Sequence, residues 1–438
     1  MKKTILLFVI IIFISSIKSQ SLYFPPLANN VWDSINPTTL GYCQPRIDSL
    51  YNYLQVKNTK SFIILKDGKR VLEKYFGTYT KDSLWYWASA SKSLSAFITG
   101  IAQQKGFINI NNKVSQYLGT GWTSTPILKE NMITVKHLIQ MNSGLDDAPP
   151  LPCDHLDSSK TCLIYKADAG TRWSYHTGAY YKSHDVVTEA VGQTYNAITT
   201  SWIKSKIGMG GTWFQNIYYG KARDMARFGL LNLNKGIWQN DTIMKDSLYF
   251  KAMVNTSQPQ NEAYGYLWWL NGKATGMAPS SQLIIPGSLF QNAPADMFCA
   301  LGKNDQKIYV VPSQKLVVVR QGNTAGGFSL AASAFDNVLW DYINKLNCST
   351  SINANFNEAT LSIYPNPTHE LININMGLSQ EENITLNLIN TLGECVITKK
   401  INGEHDAVLV SDLKSGIYFM KFSYHNKTIV KKIVIGNF

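Results

Sequence analysis

Several kinds of site are missing from this 438-residue chain, and each absence excludes a chemistry. No CxxC or HExxH spacing occurs, so a zinc centre is not expected and no metal is assigned. No GxSxG occurs, which disfavours the strand-to-helix serine elbow of the α/β-hydrolases. The formal charge is +12, from 41 Lys and Arg against 29 Asp and Glu, yet no dense basic cluster interleaves with aromatics to track a phosphate backbone. Basicity therefore reads as a surface property suited to an anionic envelope, with no nucleic-acid partner. Internal repeats and long low-complexity tracts are also missing. Only one hydrophobic run comes near the roughly 20 residues of a membrane-spanning helix, and it lies at the very start.

That start, "MKKTILLFVIIIFISSIKSQ", has Lys2 and Lys3, an apolar run from Ile5 to Ile14, and then small polar residues. This is the three-part layout of a secretory signal, expected over residues 1–19. No cysteine follows closely, so a lipid-modified N-terminus is not expected, and the mature chain should carry no transmembrane helix. Six cysteines in an exported chain allow disulfides. Cys153 and Cys162 flank a short polar loop and are the favoured pair. Cys43 and Cys348 lie near the two ends of the main domain and are placed to tie its first and last helices together, while Cys299 and Cys395 have no obvious partner.

The 45% hydrophobic content supplies a sizeable core, and the length suits more than one domain. Over residues 20–348, apolar runs such as "SFIILKDG", "KIYVVP" and "KLVVVRQG" alternate with helix-like segments such as "SLSAFITGIAQQKG" and "ARDMARFGLLNLNKG". A mixed α/β (α+β) domain is predicted. The polar stretch "NCSTSINANFNEAT" follows, placing a linker at 349–360. Residues 361–438 then read as short β-rich segments separated by turns, predicting a small all-β sandwich.

Within the main domain, "SASKSLSAFITG" sets Ser89 three residues before Lys92 where a helix begins. An i, i+3 spacing puts both side chains on one helix face, about 5 to 6 Å apart at Cβ. A lysine can take a proton from serine only when burial or a nearby charge leaves the amine neutral, so the site must be partly desolvated. Leu94, Phe97, Ile98 and Ile101 supply an apolar face, Gly106 offers a helix stop, and a first-turn serine profits from the helix dipole. The spacing alone is weak, because Ser15/Lys18, Ser201/Lys204 and Ser411/Lys414 share it. A hairpin over "SFIILKDGKRVLEKYFG" precedes the pair; "ITVKHLIQMNSGL" and "GTRWSYHTG" follow.

Taken in order over about residues 45–345, these segments resemble the serine β-lactamase and penicillin-recognising superfamily, especially the class C-like branch with esterases, D-stereospecific peptidases and 6-aminohexanoate-dimer hydrolases. The resemblance implies the β-lactamase/transpeptidase-like fold, with Ser89 as nucleophile and Lys92 as base. It matches Tyr175 in "YHT" to the family's Tyr-Xaa-Asn or Tyr-Xaa-Ser position, as proton shuttle, and Thr177 to its third place, where a hydroxyl replaces the amide. The third motif, Lys-Thr-Gly or His-Xaa-Gly in the family, matches Ala300, Leu301 and Gly302, with the Lys303 N–H pairing with that of Ser89 as an oxyanion hole. Without a cation at Ala300, a substrate carboxylate loses its grip, which favours a neutral ester or amide. "GNTAGGF" (322–328) competes for the third motif.

The tail resembles the C-terminal sorting domain of the type IX secretion system, through "YPNPT", "SGIYFMKF" and "VKKIVI" in that order. The secretion machinery is therefore an expected partner and the cell surface or exterior the expected location. Other candidates carry less weight: His176 adjoins Tyr175, His137 is expected to be structural, and Trp268 and Trp269 are favoured as core over an acyl pocket. The expectation is a secreted serine hydrolase forming an acyl-enzyme on Ser89 with no metal or organic cofactor. The alternatives are a catalytically lapsed binding protein on the same scaffold, motivated by the reduced third motif, and a true β-lactamase or D,D-peptidase.

Overall fold

The computed structural model describes residues 22–28, 31–326, 332–348, 361–375, 384–401, 405–424 and 427–436. The expected signal segment, the expected linker at 349–360 and the last two residues of "GNTAGGF" lie outside the described residues. Two compact units divide at Leu346 and Asn347.

The first unit is built on a six-stranded sheet. Its strands are β1 (Thr59–Lys66), β2 (Lys69–Tyr75), β3 (Trp269–Leu270), β4 (Phe298–Gly302), β5 (Gln306–Val311) and β6 (Leu316–Gly322), in the order β2-β1-β6-β5-β4-β3. Every pairing is antiparallel. The mixed fold is thus of the α+β kind, with strands joined by hairpins at one end of the chain and again at the other. The β1–β2 hairpin turns through Asp67 and Gly68, both at positive φ (52° and 82°), as a two-residue turn of this twist requires. Gly68 is needed twice over, because a Cβ there would lie 1.9 Å from the Tyr23 carbonyl oxygen.

Strands β5 and β6 are buried along their whole length, which explains their unbroken apolar runs. Helices α1 (Gln44–Val56), α2 (Ser91–Gln104), α3 (Thr177–Val191), α4 (Ala222–Leu233) and α5 (Ala334–Asn344) surround the sheet. Gly229 of α4 faces Ile308 and Val317 on one side. Trp340 of α5 packs edge-on against Tyr309 on the other. Ile308 and Tyr309 are successive residues, so the alternation of β5 feeds both layers.

A charged group is sealed under α5. Lys307 Nζ lies 2.9 Å from Asp336 Oδ2 and 3.3 Å from Asp305 Oδ1, with all three side chains essentially inaccessible. Tyr309 donates to Asp336 as well. The cluster fixes the chain where β4 turns into β5.

The second unit has two antiparallel sheets. The strands β7 (Ser362–Tyr364), β8 (Leu371–Asn375), β9 (Ile384–Asn390), β10 (Cys395–Ile401), β11 (His405–Leu409), β12 (Gly416–Tyr424) and β13 (Lys427–Ile435) form one sheet β7-β8-β11 and another β10-β9-β12-β13. Ile372 and Ile374 of the first meet Leu386, Leu388, Met420 and Ile433 of the second in one apolar cluster, the sandwich core. Burial alternates along most of β9, as expected of a strand with one face on a core. Among the described residues no helix is long and apolar enough to cross a membrane.

Cys153 and Cys162 form a disulfide, Cys43 and Cys348 are both disulfide-bonded, and Cys299 and Cys395 are free thiols.

Asp336→Ala leaves Lys307 buried with half its counter-charge removed. Stability from urea unfolding is expected to fall by about 3–5 kcal/mol; a loss under 1 kcal/mol would show that the cluster is not stabilising.

Candidate active site

Helix α2 is buried on every side from Ser91 to Ala102, where an amphipathic helix with one apolar face was expected. Its polar residues must therefore find partners inside the protein. Three serines do so across to other segments. Ser91 Oγ accepts from the Tyr218 N–H at 2.9 Å, Ser93 Oγ donates to the Leu267 carbonyl at 2.7 Å, and Ser95 Oγ bonds both Tyr180 Oη and His184 Nε2 at 2.7 Å.

Ser89 differs from these three. It sits in a 3-10 turn, Ala88–Ala90, immediately ahead of α2 rather than inside the first helical turn, and it is partly exposed between two buried alanines. The turn is anchored by the Trp87 N–H, which donates to the Tyr218 carbonyl at 2.8 Å. Ala88 is held at φ +48°, a conformation that costs on the order of 1–3 kcal/mol and is retained here by its surroundings. The result points Ser89 Oγ at Lys92 Nζ, 3.0 Å away.

Lys92 is only 4% exposed. Burial lowers its pKa from 10.5 to about 7, and among the described residues no ion pair joins it to a carboxylate. What faces the amine instead are aromatic rings, Tyr175 at 5.0 Å and Tyr180 at 4.9 Å from the ring centres. Near neutral pH a large fraction of Lys92 is a free amine able to accept a proton.

Tyr175 is 8% exposed, and the Ser89 side chain partly offsets the rise that burial gives its phenol pKa. Burial raises its pKa above the usual phenol value, so it is a neutral donor. Its ring stacks on Trp269 at 5.9 Å and meets Tyr264 edge-on at 6.2 Å. Trp268 points elsewhere, into the core against Phe228 and Phe298. Both tryptophans lie in the core, as expected, and Trp269 also backs Tyr175.

Thr177 begins α3 and is buried, as is Ala300 on β4, and among the described residues neither supplies a hydrogen bond to the Ser89–Lys92–Tyr175 group. His176 serves as the cap of α3, its Nδ1 accepting from the Ala179 N–H at 3.2 Å, and burial lowers its pKa to about 4. His137 likewise caps its short helix, accepting from the Thr134 N–H, in keeping with the structural role expected for it.

Gly302 ends β4 against the Ser89 turn. A Cβ there would lie 2.4 Å from the Trp87 carbonyl oxygen and 3.1 Å from the Ala90 nitrogen. "CALG" lies on the strand bordering the turn, just ahead of the strand pair β5 and β6. The Lys303 side chain is exposed, and the chain reverses through Asn304 at φ +60°. Arg320 holds this reversal by donating to the carbonyls of Asn304 and Asp305 at 3.0 and 2.9 Å, and Asn304 Nδ2 donates to Tyr86 Oη at 2.6 Å.

The residues missed from sequence are Tyr180, His184 and Asn216. Tyr180 Oη and His184 Nε2 lie 2.8 Å apart, and His184 Nδ1 lies 3.2 Å from Asn216 Oδ1. Burial holds the His184 pKa down to about 3, so this network beside Lys92 is neutral. The only available signal was that Tyr180 and His184 are four apart on one helix face.

An antiparallel sheet flanked by helices, with a serine–lysine pair at the entry to a buried helix and a glycine-ended strand beside it, defines the fold class of the β-lactamases and transpeptidases. The β-lactamase family model matches residues 59–339, and the chain belongs to that family. A secretion system C-terminal sorting domain matches residues 362–436, which makes this a type IX-secreted or cell-surface protein. An uncharacterized protein of Alkalihalophilus pseudofirmus is 22% identical over 317 residues, 62% of this chain and 87% of its own. A Bacteroides dorei structure described as a β-lactamase is similar with a TM-score of 0.55 and 16% identity, over 70% of this chain and 99% of its own. A Bacillus anthracis structure described as a 6-aminohexanoate-dimer hydrolase gives a TM-score of 0.51 and 18% identity, over 74% and 86%. At these identities the likeness is one of fold.

Gly302→Ala must displace backbone at the Trp87 carbonyl. It is expected to cost about 1–3 kcal/mol of stability, read as a lowered thermal midpoint; an unchanged midpoint would place β4 farther from the Ser89 turn.

Proposed function

We propose that the protein is an exported serine hydrolase that cleaves a neutral ester or amide through an acyl-enzyme on Ser89. The observation that carries this reading is the 3.0 Å contact between Ser89 Oγ and a Lys92 whose pKa burial lowers to about 7. Lys92 takes the Ser89 proton as Oγ attacks the carbonyl carbon, and the carbonyl π electrons move onto oxygen. The oxyanion lies between the backbone N–H groups of Ser89 and Lys303, at the N-terminal end of α2. The proton passes through the Tyr175 phenol to the leaving oxygen or nitrogen, which departs as a neutral alcohol or amine. A water then repeats the sequence on the acyl carbon, releasing a carboxylic acid and returning the proton to Ser89.

Substrate charge follows from the third motif. Ala300 is a methyl where a cation would grip a carboxylate, so this reading disfavours β-lactams and peptidoglycan stem peptides. Residues 1–19 act as the signal peptide for the inner membrane, and the sorting domain serves the outer one.

Intact mass after incubation with a fluorophosphonate tests the nucleophile. One adduct on the wild type and none on Ser89→Ala is expected; an adduct on both places the reactive group elsewhere and contradicts the assignment, and no adduct on the folded wild type favours a lapsed binding protein. Tyr175→Phe keeps the ring stacked on Trp269 but removes the hydroxyl. Ester turnover is expected to fall by about 10²–10⁴-fold without loss of folding, and turnover within threefold of wild type would remove Tyr175 from the proton path.

A further inference from the structure

Trp269 has two neighbours that matter together. One is Tyr175, stacked on it at 5.9 Å. The other is a cavity of about 200 Å³ walled by Trp269 with Met277, Ala278, Pro279, Ile285 and Leu289. The roof is a small hairpin, Thr275–Met277 paired with Ile284–Pro286, that exposes Leu283, Ile284 and Ile285 by 69%, 58% and 48%. Gln282 Nε2 donates to the Trp173 carbonyl at 2.9 Å and ties the hairpin to the residue two before Tyr175. Apolar side chains left accessible at the mouth of an apolar cavity gain by covering an apolar ligand.

We propose that this cavity receives the alcohol portion of the substrate, so that the preferred esters are those of apolar alcohols with about six carbons; for scale, an apolar cavity of about 150 Å³ already binds benzene. The inference rests on the hydrolase reading above and adds its substrate class. The side of the carbonyl is set by Tyr175. Its hydroxyl is the group that protonates the leaving oxygen, and its ring stacks on Trp269, the residue that walls the cavity, which puts the cavity on the leaving-group side. The oxyanion side, by contrast, is bordered by Gly302 and the Lys303 N–H. The reaction balances as ester plus Ser89 hydroxyl giving acyl-Ser89 and the apolar alcohol, followed by water giving the carboxylic acid and free Ser89.

The test measures kcat/KM by pH-stat on the full chain for two ester series. Acetates of methanol, butanol and hexanol vary the alcohol; methyl acetate, butyrate and hexanoate vary the acyl group. Each buried methylene is expected to raise kcat/KM roughly fourfold along the alcohol series, on the order of 10²–10³-fold from methyl to hexyl. The acyl series should be far shallower. Ala278→Phe fills the cavity and Ile285→Asp places a charge at its rim; either should cut the hexyl-to-methyl ratio at least tenfold, and the rim variant covers the case in which the filled one does not fold. A flat alcohol series, or a steeper acyl series, overturns the inference while leaving the hydrolase reading intact. No turnover in either series overturns it too, and the fluorophosphonate adduct at Ser89 then decides whether the hydrolase reading falls with it.

Discussion

An ammonium group cannot be buried without a counter-charge, and the architecture around Ser89 follows from that constraint. Lys92 is enclosed by α2, α3 and the aromatic side chains of Tyr175 and Tyr180, with burial as the one cause of its lowered pKa. The rings of Tyr175 and Tyr180 that face it carry no charge. His184, which would otherwise titrate in the same range, is held uncharged chiefly by burial. Ser95, Tyr180 and His184 satisfy one another, so the space behind the lysine is closed by polar groups that bring no charge. A carboxylate in that space would stabilise the ammonium form and remove the base.

Around this centre the fold supplies rigidity from both ends of the chain. The turn carrying Ser89 is fixed by Tyr218 through two hydrogen bonds, one to Trp87 and one to Ser91. The strand end at Gly302 is fixed by Arg320, whose guanidinium is fully buried and spent largely on backbone carbonyls. The buried Lys307–Asp336–Asp305 cluster lies at the same reversal. Charges that are costly to bury are thus placed where backbone position matters, and kept away from the amine that must stay neutral. The sorting domain has its own core and its own sheets, so its sequence is free of these demands.

What could be read from the sequence was what is local. The Ser89–Lys92 spacing, the Asp67–Gly68 turn, the Cys153–Cys162 loop and the period-two strands of the tail each need only a few neighbouring residues to be recognised. Tyr175 and Gly302 became visible through the order of segments along the chain. The rest is set by packing between distant positions. Ser95 meets Tyr180 and His184 from 85 and 89 residues away, and no periodicity announces that contact. The same holds for α2, whose serines suggested a solvated face. They are polar because the helix is wrapped on all sides and each hydroxyl has a partner in another segment. Trp268 and Trp269 are adjacent and chemically alike, and only the direction of β3 decides that one fills the core and the other backs Tyr175.

The central claim is that Lys92 is a neutral base near physiological pH. The most direct measurement is the rate of Ser89 phosphonylation as a function of pH between 5 and 9, in the wild type and in Lys92→Met. The account expects the wild-type rate to rise through one ionisation near pH 7 and then level off, because the amine must lose its proton to act, and it expects that ionisation to vanish in the variant. A wild-type rate that stays flat over this range, or the same ionisation surviving in Lys92→Met, would contradict it.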